Sequence, residues 1–250
     1  MAQDPLMRSV DPHSMRLQLA RRNLPHIADH AVWKEAGLRL SERISYIRMP
    51  GPAVLDYGIR QFGEPIFHEA QSLDVIISLG LMAYLSNIRA TLAHWAQLLR
   101  PDGLLMFCTL GPDTFHTLAQ ALGDASRTRH IPSHPDMHDL GDALVSLSLV
   151  NPVMDSERLW FSYSSPQAAL ADIRLLGGNS LLNRPPGLST QSWRKQVLSA
   201  LEDLCQNGKI MLPLELVFGH AWAAQPKPSE PGVKTVQWVG GRAKNASRGI

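Results

Sequence analysis

Residues 73–110, LDVIISLGLMAYLSNIRATLAHWAQLLRPDGLLMFCTL, decide the fold. The run Leu73–Leu79 is rich in branched apolar side chains, which is typical of a buried strand. Ser86 is a candidate N-cap, and four apolar residues at helical spacing follow it: Ile88, Leu92, Trp95 and Leu99. The turn Pro101-Asp102-Gly103 then leads into a second strand, Leu104–Thr109. This order predicts two parallel strands joined by a helix, because parallel strands need a long crossover connection.

Helical and strand patterns alternate on both sides of this stretch. Upstream, the spacing predicts a helix over Ser14–Asn23, a longer helix capped by Asp29, and a short buried strand at Ala53–Tyr57. Downstream, Pro112 occupies a first helical position and Gly123 ends that helix. The alternation predicts an open, mainly parallel sheet covered by helices, whose ligands bind beyond the carboxyl ends of the strands.

The C-terminal half adds elements of a different kind. Three helix starts are indicated by capping or proline residues: Asp136 with Asp139, Ser165 with Pro166, and Thr190. Glycines are expected to end the last two of these helices: Gly177 with Gly178, and Gly208. Val153–Tyr163 predicts two short strands or one bent, antiparallel strand. Strict alternation over Ile210–Phe218 predicts a half-buried strand, and Val233–Val239 an edge strand in a loose tail.

Composition excludes several classes of protein. A chain of 250 residues with 44% hydrophobic side chains can bury one sizeable core or two modest ones, which excludes a disordered tail and a disulfide-stapled miniprotein. The formal net charge is +2, with the basic excess at the two ends, so we expect no nucleic-acid binding. The two cysteines, Cys108 and Cys205, favour a reducing compartment. No membrane span or signal peptide is indicated, and we expect a cytoplasmic protein.

Six short motifs carry a resemblance to a known family: LRPDGLLMF (99–107), LGPDT (110–114), DMHDLGD (136–142), PVMD (152–155), LGGN (176–179) and GHAW (219–222). In this order they resemble one group of class I S-adenosylmethionine-dependent methyltransferases. The chain is similar to the malonyl-carrier-protein O-methyltransferases of biotin synthesis and their relatives, which include a mitochondrial assembly factor for respiratory complex I. The resemblance covers roughly residues 14–240 and implies a Rossmann-like sandwich, S-adenosylmethionine as cofactor and an acyl carrier protein thioester as substrate.

The cofactor region departs from the family in three places. The family expects an acidic residue followed by glycines at alternate positions, but in VLDYGIRQF (54–62) Arg60 and Phe62 stand where two of the three glycines belong. The residues between Asp56 and Asp74 are too few for the second strand and its ribose-binding carboxylate, since a β-α-β unit takes about 30 residues. The third departure is Ile27-Ala28, which replaces a Tyr-Asp pair. The resemblance therefore implies a parallel sheet truncated on one side.

The candidate site residues follow from the resemblance. The remnant of the cofactor site is Asp56, Gly58 and Ser78, and the substrate side is His138, Asn179 and Arg184. Each has a structural alternative: Asp136 and Asp139 cap a helix beside His138, glycines before Asn179 end a helix, and Arg184 is either solvated or clamps a carboxylate. No spacing of residues in the sequence indicates a catalytic residue, so the catalytic group stays unknown.

Other titratable residues have structural explanations. His130, His134 and His138 are spaced by four, but Pro132 and Pro135 interrupt any helix between them, so we expect no metal site. His220 ends a strand and is expected to be a buried, hydrogen-bonded histidine. Three arginines form either a solvated helix face or a surface for an acidic carrier protein: Arg16, Arg21 and Arg22.

The sequence predicts five regions: N-terminal helices (1–50), a truncated methyltransferase-like core (51–164), a small helical cap or substrate-side insertion (165–208), a C-terminal core strand (209–224) and a flexible basic tail (225–250). Two functions stay open. One is a non-catalytic relative with impaired S-adenosylmethionine binding that acts on a partner or substrate by binding, as a homodimer or with an intact paralogue. The other is an active O-methyltransferase for a malonyl thioester with a rebuilt cofactor pocket.

Overall fold

A computed structural model describes residues 4–8, 10–21, 27–123, 131–176 and 191–225. Several sequence predictions lie outside these ranges: the helix-ending Gly177 with Gly178, the site residues Asn179 and Arg184, the residues His130 and Arg22, and the tail with its edge strand. The described chain forms one mixed sheet with helices packed on both of its faces.

The sheet contains six strands: β1 (Val54–Asp56), β2 (Leu73–Leu79), β3 (Leu99–Leu110), β4 (Leu149–Tyr163), β5 (Cys205–Gln206) and β6 (Lys209–Ala223). Their order is β1-β2-β3-β6-β4, with the short β5 paired to β6. The first three strands are parallel, and β6 is antiparallel to both β3 and β4. The predicted parallel sheet with antiparallel C-terminal strands is therefore confirmed.

Seven helices accompany the sheet in the described ranges: α1 (Pro12–Arg21), α2 (Ala31–Ser45), α3 (Ile88–Leu98), α4 (His116–Leu122), α5 (Met137–Ser146), α6 (Pro166–Leu175) and α7 (Gln191–Asp203). Helices α1, α2, α4, α6 and α7 contribute to the core on one face of the sheet. The core on the other face contains residues of α3 and α5. None of these helices is long and apolar enough to cross a membrane.

Successive side chains of β2 point to opposite faces of this sheet. Ile76 joins the core under α3 and α5, whereas Ile77 and Leu79 pack against the core under α2. Ser78 shares the face of Ile76 because residues two apart in a strand lie on the same side. Side chains on the face of Ile77 and Leu79 therefore point towards α2, and those on the face of Ile76 and Ser78 point away from it.

Several helices begin where local capping chemistry predicts. Asp136 caps α5, with its carboxylate accepting the N–H of His138 at 2.7 Å. Ser165 caps α6, whose first residue is Pro166. Two predicted caps are wrong by one residue. Asn87 rather than Ser86 caps α3, accepting the N–H of Ala90, and His30 rather than Asp29 caps α2.

Long-range contacts explain both shifts. The carboxylate of Asp29 pairs with Arg60 and does not cap the helix. The backbone carbonyl of Ser86 accepts the N–H of Arg8 at 2.8 Å, which joins this residue to the N-terminal segment. A residue distant in sequence therefore takes the capping carboxylate of Asp29, whereas Ser86 is held at its backbone carbonyl.

Three other elements differ from the sequence prediction. Helix α4 begins at His116, not at Pro112, because the N–H of Phe115 donates to the carbonyl of Pro213 and keeps this segment beside β6. Strand β4 is one continuous strand whose register shifts between Val150 and Val153. Strand β6 lies between β3 and β4 rather than on a half-exposed face, so Val217 is buried together with its alternating neighbours.

The connection between β1 and β2, residues 57–72, contains one short 3₁₀ turn, Ile59–Gln61, and no strand. Within the described chain, β1 is therefore an edge strand, and its Val54 side chain is 46% exposed. Helices α6 and α7 pack against each other, and α7 also packs on α4. Whether these helices act as a cap over a substrate stays a prediction.

Candidate functional site

The carboxyl ends of the three parallel strands meet at one edge of the sheet. Strand β1 ends at Asp56, β2 at Leu79 and β3 at Leu110. Open sheets of this kind bind ligands in the crevice beyond these ends. The candidate site is therefore the set of cavities and polar groups along this edge.

A cavity of about 340 Å³ lies between the end of β1 and helix α2. Asp56 and Gly58 line it from the strand side, and Trp33 and Lys34 line it from α2. Its volume falls within the range of about 300–1,000 Å³ typical of ligand pockets. Burial raises the pKa of Asp56, and the positive charge of Arg60 opposes this shift.

Gly58 is required by close packing and not by backbone conformation. Its φ angle of −97° is open to any residue, but a Cβ atom would lie 2.9 Å from the carbonyl oxygen of Leu79. The N–H of Gly58 donates to the side-chain oxygen of Gln61 at 3.0 Å. The loop after β1 is therefore held directly against the end of β2.

Arg60 also lines this cavity and pairs there with Asp29. Its Nη2 atom is 2.5 Å from Oδ1 of Asp29, and both side chains line the cavity while remaining about half exposed. An exposed pair of this kind contributes up to about 1 kcal/mol to stability. The position of the pair matters here because it lines the same cavity as Asp56 and Gly58.

The other remnant residues lie elsewhere. Ser78 is buried and its Oγ has no hydrogen-bond partner, but it does not line the 340 Å³ cavity, consistent with its orientation towards the opposite face. Phe62 lines a different cavity of about 570 Å³, together with Tyr57, Trp95 and the exposed Arg16. The structure therefore brings Asp56 and Gly58 together and leaves Ser78 apart from them.

The substrate-side residues are placed only in part. His138 is exposed in the first turn of α5 and lines a surface groove of about 350 Å³ with Asp142 and Met154. This groove is separate from the cavity at β1. His220 lies inside β6, opposite Met106, and does not end the strand as predicted. Burial lowers the pKa of His220.

Two polar groups at this edge were missed by sequence analysis. Glu215 accepts the N–H of Asp113 at 2.9 Å, and burial and the nearby charge of Asp136 raise its pKa, while a hydrogen bond from Ser156 opposes the shift. An acidic residue inside an alternating apolar strand is the signal that identifies it. No group of three or more potential metal ligands occurs within the described ranges.

The second missed group is Arg8, in the N-terminal segment. Its Nη1 donates to the carbonyl oxygens of Met82 and Ala83 at 3.1 and 2.6 Å, and its Nε donates to that of Ser133 at 2.8 Å. Arg8 and the adjacent His134 are only 5% and 7% exposed. Nothing in the sequence around Arg8 indicates that this side chain is buried.

Comparisons with known proteins support one family. The chain is 39% identical over 159 residues to a malonyl-[acyl-carrier protein] O-methyltransferase of Laribacter hongkongensis, covering 63% of this chain and 53% of the relative. It is 36% identical to a Coxiella burnetii protein of the same name over 62% of this chain and 55% of the relative. In both comparisons the chain spans about half of the relative's length. No protein-family model matches the chain.

A third relative aligns over nearly its whole length. The malonyl-[acyl-carrier protein] O-methyltransferase of Gallionella capsiferriformans is 27% identical, with 91% of this chain and 96% of the relative covered. This alignment runs over 279 positions, more than the 250 residues of this chain, so it opens gaps in this chain. A putative methyltransferase structure from Bacillus halodurans covers 74% of this chain and 99% of its own, at 8% identity and a TM-score of 0.48.

The parallel strands β1 to β3, the antiparallel β6 and β4, and the helices on both faces define a class I methyltransferase sandwich. In sequence the chain is similar to the malonyl-[acyl-carrier protein] O-methyltransferases, and this similarity supports the same class I S-adenosylmethionine-dependent methyltransferase family.

Proposed function

We propose that this chain is a methyltransferase-family protein whose binding of S-adenosylmethionine is impaired or lost and which acts by binding a partner or a substrate. The observation that carries the proposal is the connection of residues 57–72 between β1 and β2, which contains one 3₁₀ turn and no strand. A second strand ending in a carboxylate is what holds the ribose hydroxyls in nucleotide-binding sheets of this type. That carboxylate has no place in this connection.

The residues at the end of β1 also fit the cofactor poorly. Arg60 and Asp29, which pair with each other, line the same cavity as Gly58, where close approach of ligand to backbone needs small residues. Asp56 is the one carboxylate at the end of β1 that matches the family's pattern, and burial raises its pKa while Arg60 opposes this shift. We therefore derive no chemical step through S-adenosylmethionine for this chain.

The relatives indicate what such a protein binds. Their name specifies the malonyl form of acyl carrier protein, which suggests an acyl carrier protein thioester as the substrate or partner of this chain. The exposed β1 edge offers a place for pairing with a second copy or an intact paralogue. Light scattering at micromolar concentration tests this pairing, first with the chain alone and then with the intact paralogue added. Pairing is rejected if the chain stays a monodisperse monomer in both measurements.

Calorimetric titration with S-adenosylmethionine and S-adenosylhomocysteine tests the loss of cofactor binding. We expect no binding of either ligand by this chain up to millimolar concentration. A full-length malonyl-[acyl-carrier protein] O-methyltransferase in the same assay serves as the positive control. Micromolar binding by this chain would refute the proposal. An Arg60→Gly variant is expected to stay silent as well, because it opens the cavity without supplying a ribose-binding carboxylate.

The second candidate function is an active O-methyltransferase on a malonyl thioester with a rebuilt cofactor pocket. The observation in its favour is the cavity of about 340 Å³, which Asp56 and Gly58 line as the family's pattern requires. In such an enzyme the cofactor supplies the electrophilic methyl group, and the protein mainly aligns the two reactants. The test is an assay for transfer of a labelled methyl group to malonyl-carrier protein by the purified chain. Observed transfer would decide in favour of this candidate.

A further inference from the structure

Strand β4 forms a free edge of the sheet within the described chain. It pairs with β6 on one side only, and its register shifts between Val150 and Val153. Val150 is 41% exposed at the start of the strand, and Trp160 is 54% exposed towards its end. Proteins normally cover such an edge with a helix, a loop or another strand. The edge at β4 is therefore a place where another segment can add to the fold.

The surface groove of about 350 Å³ lies at this edge, between the start of β4 and helix α5. Its apolar lining includes Pro152 and Met154 from β4 and Val145 from α5. The side chain of Val145 is 60% exposed, although it is apolar. Methionine is flexible and adapts to the shape of a partner. The groove can therefore accept apolar side chains from a docked segment.

The charges around this groove are acidic. Asp142 lines it, and Asp139 lies three residues earlier in α5. None of the residues that line the groove is a lysine or an arginine. Arg89, which bonds Ser146 at the end of α5, is already paired with Asp4. The groove is therefore complementary to a segment that combines apolar and basic side chains.

The sequence after β6 contains such a segment. Residues 226–250 lie outside the described ranges and carry five basic side chains and one acidic side chain: Lys227, Lys234, Arg242, Lys244 and Arg248, with Glu230. Lys234, Val236 and Trp238 follow one another at a spacing of two residues. In an extended segment this spacing places one basic and two apolar side chains on the same face. This face has the chemistry that the groove requires.

The end of β6 lies close to the groove. Ala223, the last residue of β6, pairs with Leu149, the first residue of β4. Pro152 of the groove follows Leu149 by three residues, which occupy roughly 10 Å in a strand. The residues between Gln225 and Lys234 can span up to about 25 Å when extended. The connection is therefore long enough for Lys234 to reach the groove of the same chain.

We propose that segment 234–238 docks in the groove between α5 and β4 of the same chain. Val236 and Trp238 then pack against the apolar lining, and Lys234 pairs with Asp142. Docking covers the free edge of β4 and also His138, so a ligand that uses His138 has to compete with this segment. The inference concerns the edge of the sheet opposite β1 and does not depend on the proposed function.

Hydrogen–deuterium exchange of the full chain, measured by mass spectrometry, tests this docking. We expect the amides of residues 234–238 to exchange about tenfold more slowly than the same amides in a synthetic peptide with the sequence of residues 226–250. This protection should be independent of protein concentration, because the contact lies within one chain.

Variants identify the groove as the docking site. Lys234→Asp and Asp142→Lys should each reduce the protection about threefold, and the double variant should restore it, since opposite charges then meet again. Trp238→Ser should abolish the protection, because it removes the largest apolar side chain of the segment. Glu202→Lys is the matched control for Asp142→Lys. It replaces an exposed acidic residue of α7, on the other face of the sheet, and should leave the protection unchanged.

Equal exchange in the full chain and in the free peptide would overturn the inference. Protection that survives both Asp142→Lys and Trp238→Ser would also overturn it, because the segment would then dock elsewhere. If protection rises with protein concentration and light scattering shows a dimer, the occupant is a second copy and the assignment to the same chain is wrong. Asp142→Asn is the alternative variant if Asp142→Lys does not fold, and it should weaken the protection in the same direction.

Discussion

His30 joins two layers of the molecule through the two nitrogens of its ring. Nε2 lies 3.1 Å from Oδ1 of Asp172 in α6, and Nδ1 accepts the N–H of Val32 as the N-cap of α2. The acceptor role of Nδ1 requires the proton on Nε2, which then donates to the carboxylate. One side chain thus caps a core helix and anchors α6 to it.

Substitution of His30 should therefore cost more than the loss of a cap alone. We expect His30→Ala to lower the free energy of unfolding by about 1–2 kcal/mol, because it removes the cap and the hydrogen bond to Asp172. His30→Asn restores a good capping residue but not the second contact, so it should recover part of this loss. Urea denaturation of the wild type and both variants measures these differences, and a His30→Asn variant as stable as the wild type would show that the contact with Asp172 contributes nothing.

A second prediction concerns Arg43, which links α2 to β4 and β6. Its Nη2 lies 2.5 Å from carboxylate oxygens of both Asp155 and Glu157, and its guanidinium carbon lies 3.8 Å above the ring of Phe218. With the Arg43 side chain 24% exposed and that of Asp155 55% exposed, Arg43→Met should destabilise the fold by about 1 kcal/mol. The variant removes both ion pairs, although Glu157 keeps its pair with Arg39.

Arg43→Lys and Arg100→Gln are the controls for this prediction. Lysine keeps the charge but not the planar fork, so Arg43→Lys should fall between the wild type and Arg43→Met. Arg100 is 49% exposed, and its partner Asp74 keeps the N–H of Ala53 as a second partner, so removal of Arg100 should cost less than about 1 kcal/mol. Thermal unfolding of the four proteins ranks them, and an Arg43→Met variant as stable as the wild type would contradict the predicted network.

The pH dependence of stability should reveal the buried His134. Its pKa in the folded chain lies well below the usual 6.5, because burial and Arg8 disfavour its charged form. Below about pH 6.5 the unfolded chain therefore binds a proton that the folded chain does not, and stability falls as the pH decreases. The slope from this residue is at most about 1.4 kcal/mol per pH unit.

Denaturation at several pH values between 7 and 5 measures this slope. His134→Leu should flatten it, whereas His68→Leu, which replaces an exposed histidine, should not. An unchanged slope in His134→Leu would show that another group causes the acid sensitivity. Glu215 acts with the opposite sign, because its raised pKa gives stability that is lost as the pH rises.

Local chemistry predicts the parts of this fold whose causes are local. The Asp136 cap and the Ser165-Pro166 helix start were found from sequence because each uses residues within three positions. The caps of α2 and α3 were placed one residue early: the carboxylate of Asp29 pairs with Arg60, and the backbone carbonyl of Ser86 bonds Arg8 while Asn87 caps α3. The spacing of residues in the sequence does not indicate partners that are distant along the chain.

The candidate site divides in the same way. Asp56 and Gly58 could be assigned from their position after a strand, and the structure places both on one cavity. Arg8 could not be assigned, since it reaches carbonyl groups 74 to 125 residues away in sequence. Ser78 was chosen by its position in β2, but the alternation of side chains turns it away from the cavity.

The last prediction concerns the packing of Gly58 against β2. A Cβ atom at this position would lie 2.9 Å from the carbonyl oxygen and 3.3 Å from the nitrogen of Leu79, both backbone atoms of a core strand. Because neither can move without disturbing the sheet, Gly58→Ala should destabilise the chain by about 1–3 kcal/mol.

Gly141→Ala is the matched control. Its Cβ would meet only the flexible side chain of Met154 at 3.4 Å, inside helix α5. Alanine favours a helix over glycine by up to about 1 kcal/mol, so this variant should be as stable as the wild type or more stable. Chemical denaturation should therefore show a loss of stability for Gly58→Ala and no loss for Gly141→Ala. A tolerated Gly58→Ala would show that the loop after β1 is free to move away from β2.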